Sequence, residues 1–176
     1  TLADIKMVFL PNPADHIPAF STKGIDVSYM VEPFVTIAAA QSIGVPWLWL
    51  SELDPGNQGA VLVFGERLTK DVDAGRRFMV AYVKGLRDYN DAFFKGKNKA
   101  EIVQILIKYT ALKDPALYDK VGMPGLHPDG KINIANVGVF QDFLIRKGAL
   151  KERVDLNKVI DMQFADYAVQ QLGPYK

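Results

Sequence analysis

The spacing of apolar residues changes near Phe64, and this change constrains the fold more than any other feature. Before Phe64, apolar residues form short runs bounded by proline and glycine, which is the pattern of buried strands. After Phe64, apolar residues recur every three or four positions, which is the pattern of amphipathic helices. The predicted strands are residues 5–10, 25–31, 45–50 and 59–64.

Residues that favour helix starts and ends mark the predicted helices along the whole chain. Asp15 and Asn98 are suited to cap helices, Pro33 and Pro115 suit first helical positions, and Gly148 suits the residue after a helix end. Residues 123–133, rich in proline and glycine, are predicted to form a loop. The predicted helices are residues 15–20, 33–43, 71–94, 98–112, 114–121, 135–147 and 155–172.

Charge and composition exclude several classes of protein. The net charge of +1 argues against nucleic acid as a partner. No apolar run approaches the roughly 20 residues that a membrane-spanning helix needs. The absence of cysteine excludes disulfides, thiolate metal sites and cysteine nucleophiles. No histidine spacing suggests a metal site, so no cofactor, metal or catalytic residue is predicted.

The predicted order of elements is an α/β front part followed by helices alone. Residues 1–64 carry a net charge of −4, and the remainder carries +5. The later helices have no clear sheet to pack on, so their partner sheet is expected outside this chain. The chain begins with Thr1 and is therefore expected to be a processed or truncated product whose start does not reveal its compartment.

Four segments give the chain a family resemblance. They are 24–34 (GIDVSYMVEPF), 61–68 (VLVFGERL), 77–82 (RFMVAY) and 140–165, which includes FQDFL, VDL, ID and FA. In their order and spacing they resemble the nitrate/sulfonate/taurine and thiamine-precursor group of periplasmic substrate-binding proteins of ABC importers. Val27 stands where the commoner family residue is alanine.

This resemblance implies a type II periplasmic-binding fold: two α/β lobes joined by crossover strands, with the ligand between them. Residues 1–60 would belong to the second lobe, and 61–176 to the crossover strand and the helical return of the first lobe, whose N-terminal part is absent. The implied protein is monomeric, non-catalytic and periplasmic or lipid-anchored outside the cytoplasm. It would capture a small polar or heteroaromatic solute, sulfonate-like or aminopyrimidine-like, and dock on a membrane permease.

Glu32 is the first candidate for ligand contact, because it lies where a strand meets a helix N-terminus. A carboxylate at this position also stabilises the helix as a cap, and residue chemistry alone leaves both interpretations open. The resemblance favours the ligand. Further candidates follow the first predicted strand (Asn12 and His16), lie near the end of the second (Ser28 and Tyr29) or precede the crossover (Asn57 and Gln58).

Two other functions share this fold or this resemblance. Thiamine-pyrimidine synthases are enzymes expected to use pyridoxal phosphate, iron and a cysteine-rich motif, which the lack of cysteine here disfavours. A sensor domain would bind a similar solute and transmit a signal instead of delivering it, and the sequence does not separate these two.

Overall fold

In the computed structural model, which describes residues 4–176, the secondary structure is helical and none of these residues lies in a β-strand. The 3-10 turns Pro13–Asp15 and Pro115–Asp119 accompany the α-helices. The α-helices are α1 His16–Ser21, α2 Phe34–Ala40, α3 Leu50–Leu53, α4 Glu66–Lys70, α5 Val72–Phe94, α6 Lys99–Tyr109, α7 Ile134–Arg146, α8 Leu156–Val159 and α9 Gln163–Leu172.

The predicted fold of two α/β lobes is therefore wrong for the described chain. The four segments predicted as strands lack regular hydrogen bonding, apart from a short helix that begins at Leu50. Many of their apolar side chains face solvent, as the exposures of Trp47 (85%) and Val63 (80%) show. An apolar run favours an extended chain, but a strand also needs a neighbouring strand to satisfy its backbone groups. Residues 4–176 supply no such neighbour.

The helix predictions are closer to the structure. The long predicted helix 71–94 is confirmed as α5, whose Asp71 side chain accepts a hydrogen bond from the Ala74 amide at 3.0 Å. The predicted last helix, 155–172, is interrupted. The Asp155 side chain caps the short α8, and the Asp161 carboxylate accepts from the Gln163 amide at 2.9 Å where α9 begins.

The chain divides into two compact units, each discontinuous in sequence. The first comprises Thr1–Leu48 and Val103–Pro124, and the second Trp49–Ile102 and Gly125–Lys176. The predicted domain boundary at residue 60 stays a prediction. Within residues 4–176, no helix has both the length and the apolar character needed to cross a bilayer.

The second unit has its core between α5 and α9. Its buried cluster consists of Met79, Val83, Phe164, Ala165 and Ala168. The α5 backbone approaches the aromatic ring of α9 closely, because a Cβ built on Gly75 would lie 2.6 Å from Phe164 Cε1. Phe64 packs against the same ring, with centroids 5.1 Å apart. Small residues therefore set the spacing of the two helices.

Charged side chains attach the C-terminus to α5. The Arg87 guanidinium donates to the Asp129 carboxylate at 2.7 Å and to the Gly173 carbonyl at 2.6 Å, just past the end of α9. Further along α5, Asp91 accepts from the Tyr175 hydroxyl at 2.7 Å and pairs with Lys95 at 2.9 Å. The hydrogen bonds from Tyr175 and Lys95 lower the pKa of Asp91 to about 2.

The first unit has a smaller buried set. Tyr118 is buried beside Leu112, and its hydroxyl donates to the Leu112 carbonyl at 3.0 Å and pairs with the Thr110 hydroxyl at 3.1 Å. On α2, Thr36 and Ala38 are buried. The same unit contains five of the seven predicted ligand residues, Asn12, His16, Ser28, Tyr29 and Glu32.

Candidate functional site

His16 and Ser28 are brought together in the first unit, and Asn12 lies at the start of the turn that precedes His16. The Asn12 side chain accepts from the Ala14 amide at 3.2 Å and so caps the turn Pro13–Asp15. That turn leads directly into α1, and His16 is the first residue of α1. His16 and Ser28 are twelve residues apart in sequence, yet the imidazole and the hydroxyl are hydrogen-bonded.

The partners of the His16 ring determine which nitrogen carries the proton. Nε2 lies 3.1 Å from the Leu10 carbonyl oxygen, which can only accept, so Nε2–H is the donor. In the neutral ring Nδ1 is then an acceptor, and the Ser28 hydroxyl donates to it. The Ser28 oxygen keeps lone pairs that can accept a hydrogen bond from a bound molecule. We call Asn12, His16, Ser28 and the Leu10 carbonyl the histidine cluster.

Tyr29 lies next to the histidine cluster in sequence and has a 73% exposed side chain. Its carbonyl oxygen is 3.4 Å from the Ser28 hydroxyl, at the long limit of a hydrogen bond. The exposed ring is able to stack on a flat solute. The Asn12 amide nitrogen is 3.4 Å from Asp15 Oδ1, another long contact that a solute could displace.

Glu32 does not present a free carboxylate. One oxygen accepts from the Thr36 amide, and the other from the Thr36 hydroxyl, both at 3.1 Å. The amide of Gly122 donates to the same carboxylate at 3.2 Å. Glu32 therefore holds the first turn of α2 to the chain segment around Gly122, and its contact with a ligand stays a prediction.

Replacing Glu32 by alanine should lower the stability of the first unit by about 1–2 kcal/mol, because a half-buried carboxylate with three donors would be lost. Urea unfolding followed by circular dichroism would measure this change. The matched control is Glu52→Ala, on the exposed turn α3, which should change stability by less than about 0.5 kcal/mol. An equal effect of both substitutions would contradict the capping role.

Asn57 and Gln58 belong to a polar network in the second unit. The Gln58 amide donates to Asn136 Oδ1 at 2.8 Å, and Gln58 Oε1 accepts from the Asn133 amide at 2.8 Å. Asn57 Nδ2 donates to the Asp54 carboxylate at 3.0 Å. Hydrogen bonds from Asn57 and Asn136 lower the pKa of Asp54. The network links residues 54–58 to the start of α7 by hydrogen bonds. The side-chain amides of Asn57 and Gln58 are therefore already paired within the protein.

The sequence analysis missed a shallow depression in the second unit. It has a volume of about 300 Å³ and is lined by Asp73, Arg76, Arg77, Val80, Tyr167 and Gln171. The Arg76 guanidinium lies over the Tyr167 ring at 4.6 Å, and Arg77 pairs with Asp73 at 3.0 Å. The only sequence signal was the spacing of four between Asp73 and Arg77, which is ordinary for a helix surface. Arg77 and Asp73 are paired with each other and Arg76 is occupied by the Tyr167 ring, so the depression offers little to a ligand.

Comparison of the chain with protein-family models, with curated proteins and with solved structures gives no match. Among residues 4–176 there is also no cluster of three or more histidine or acidic side chains arranged to hold a metal ion.

Proposed function

We propose that this chain is part of the substrate-binding component of an ABC importer and binds a small polar or heteroaromatic solute without chemical change. The observation that carries the proposal is the histidine cluster. His16 and Ser28, two of the seven residues predicted to contact the ligand, are hydrogen-bonded to each other although twelve residues separate them. A third, Asn12, caps the turn that leads into His16.

The chemistry of this cluster suits an amino-bearing ring. The Ser28 oxygen is available to accept from an N–H of the solute, because its own hydrogen is directed to His16. The exposed Tyr29 ring offers a stacking surface beside it. Residues 4–64 contain only two basic side chains, Lys6 and Lys23, so they offer few donors for a sulfonate. Among the two predicted ligand classes, aminopyrimidines are therefore favoured over sulfonates.

The proposal includes a compartment and a partner for the chain. The carrier would act outside the cytoplasm, in the periplasm or on a lipid anchor, and deliver its solute to the permease subunits. A ligand that binds one conformation of the protein better than another shifts the population towards it, and the permease would recognise the loaded conformation.

A thermal-shift screen of the purified chain against aminopyrimidines and sulfonates tests the proposal. A ligand at 100 times its dissociation constant should stabilise the protein by about 2.7 kcal/mol. His16→Ala should weaken binding at least about tenfold, since it removes the acceptor that orients Ser28. The matched control is His127→Ala, in the second unit, where Nδ1 accepts a hydrogen bond from the nearby Asp129 amide. If the ligand raised the melting temperature of the His16→Ala variant as much as that of the native chain, the binding site would lie elsewhere.

A further inference from the structure

The hydrogen-bond partners of the His16 ring determine where a second proton can bind. The Leu10 carbonyl oxygen, 3.1 Å from Nε2, can only accept, so Nε2 carries a hydrogen in both the neutral and the charged ring. A second proton therefore enters the ring at Nδ1, the nitrogen that contacts the Ser28 hydroxyl. Protonation of His16 thus acts directly on Ser28.

The Ser28 hydroxyl must reverse its direction when His16 gains this proton. Beside the neutral ring, its hydrogen points to Nδ1 and both lone pairs of its oxygen face away from the ring. Beside the charged ring, the Nδ1 hydrogen is donated to the Ser28 oxygen, and the hydroxyl hydrogen turns away. The Tyr29 carbonyl, 3.4 Å from that oxygen, holds the released hydrogen only weakly. Ser28 then offers a donor next to a positive charge.

Histidine is the side chain that ordinarily changes charge between about pH 5.5 and about pH 7.5. The His16 ring contacts the segment that ends at Leu10 and the segment that carries Ser28, and it begins α1. The other ionisable side chains on these segments are exposed carboxylates, ammonium groups and a phenol, types that ordinarily change charge outside this range. They are Asp4, Lys6, Asp15, Lys23, Asp26 and Tyr29.

We propose that protonation of His16 switches the preference of the histidine cluster from an amino group to an oxo group on the bound ring. This inference rests on the proposed function, because it concerns the same solute site. Beside neutral His16, Ser28 accepts from the amino group; beside charged His16, it donates to an oxo oxygen, and the positive ring repels amino hydrogens. By linkage, the proton and an amino-bearing solute weaken each other's binding by the same factor. Acid therefore promotes release of an aminopyrimidine.

Calorimetric titration with 2-aminopyrimidine and 2-pyrimidinone, at about pH 7.5 and about pH 5.5, tests this switch. The exocyclic group donates in the first ring and accepts in the second, and both rings stay neutral over this range. Acidification should raise the dissociation constant of 2-aminopyrimidine, relative to that of 2-pyrimidinone, at least about fivefold in the native chain, because most of the His16 rings then carry the second proton.

His16→Asn separates the proton from the hydrogen bond. The asparagine oxygen can accept from Ser28 but does not titrate, so the ratio of the two dissociation constants should be the same at both pH values. His127→Ala removes the histidine of the second unit and should keep the native shift. A pH-independent ratio in the native chain, or a shift that persists in His16→Asn, would overturn this proposal and leave the solute site standing. Binding of neither ring at either pH would overturn the proposed function as well.

Nitrogen NMR of the histidine-labelled chain tests the proton positions without any solute. At about pH 7.5, His16 Nδ1 should lack a hydrogen and Nε2 should carry one, and at about pH 5.5 both should carry one. Circular dichroism should show equal helix content at both pH values. A hydrogen on Nδ1 of the neutral ring at about pH 7.5 would overturn the proposal, whatever the titrations gave.

Discussion

Arg87→Ala should destabilise the second unit by about 3–5 kcal/mol, the largest effect that we expect from a single substitution. The Arg87 and Asp129 side chains are only 15% and 17% exposed, and their ion pair is 2.7 Å long. Removing the guanidinium leaves the Asp129 carboxylate largely buried without its counterion. It also removes the donor to the Gly173 carbonyl. Urea unfolding monitored by circular dichroism would give the change in free energy.

The control for this prediction is Arg77→Ala on the same helix. Arg77 also forms an ion pair, with Asp73 at 3.0 Å, but both side chains are about three-quarters exposed. An exposed pair of this kind contributes about 0–1 kcal/mol. If the two alanine variants were equally stable, the Arg87 contacts would not hold the C-terminal segment to α5.

Gly75→Ala is expected to lower the free energy of unfolding by about 1–3 kcal/mol, although alanine is intrinsically the better helix former. The new methyl group would lie 2.6 Å from Phe164 Cε1 and 2.8 Å from Cζ. Phe164 is buried and confined by Phe64, so its ring cannot move away without disturbing the core. Thermal unfolding would show a lowered midpoint.

Gly85 provides the matched control on the same helix. Its substitution by alanine places a methyl group with no atom nearby, on an exposed position of α5. Gly85→Ala should therefore stabilise the protein by about 0.5–1 kcal/mol through helix propensity alone. If Gly75→Ala were also stabilising, α5 and α9 would not pack as closely as described.

Local signals predicted the helices because their physical causes are local. The capping aspartate Asp71 and the spacing of apolar residues along α5 lie within the helix that they define. The sheet was predicted wrongly because strand pairing depends on partners distant in sequence. The apolar run around Trp47 indicates an extended chain, but it does not indicate what pairs with that chain.

The candidate site also depends on contacts between residues distant in sequence. The position just after segment 5–10 suggested Asn12 and His16 as candidates, and the structure joins His16 to Ser28. The sequence could not decide whether Glu32 caps a helix or contacts a ligand, because both roles use a carboxylate at a helix N-terminus. Contacts from Gly122, 90 residues away, show the carboxylate engaged within the protein. A donor so distant in sequence cannot be predicted from the residues around Glu32.

Native mass spectrometry of the chain after incubation with an aminopyrimidine tests the central claim most directly. We expect one bound solute per chain, retained by the native protein and by His127→Ala and largely lost from His16→Ala. Failure of the native chain to retain any aminopyrimidine or sulfonate, with its helix content intact, would contradict it.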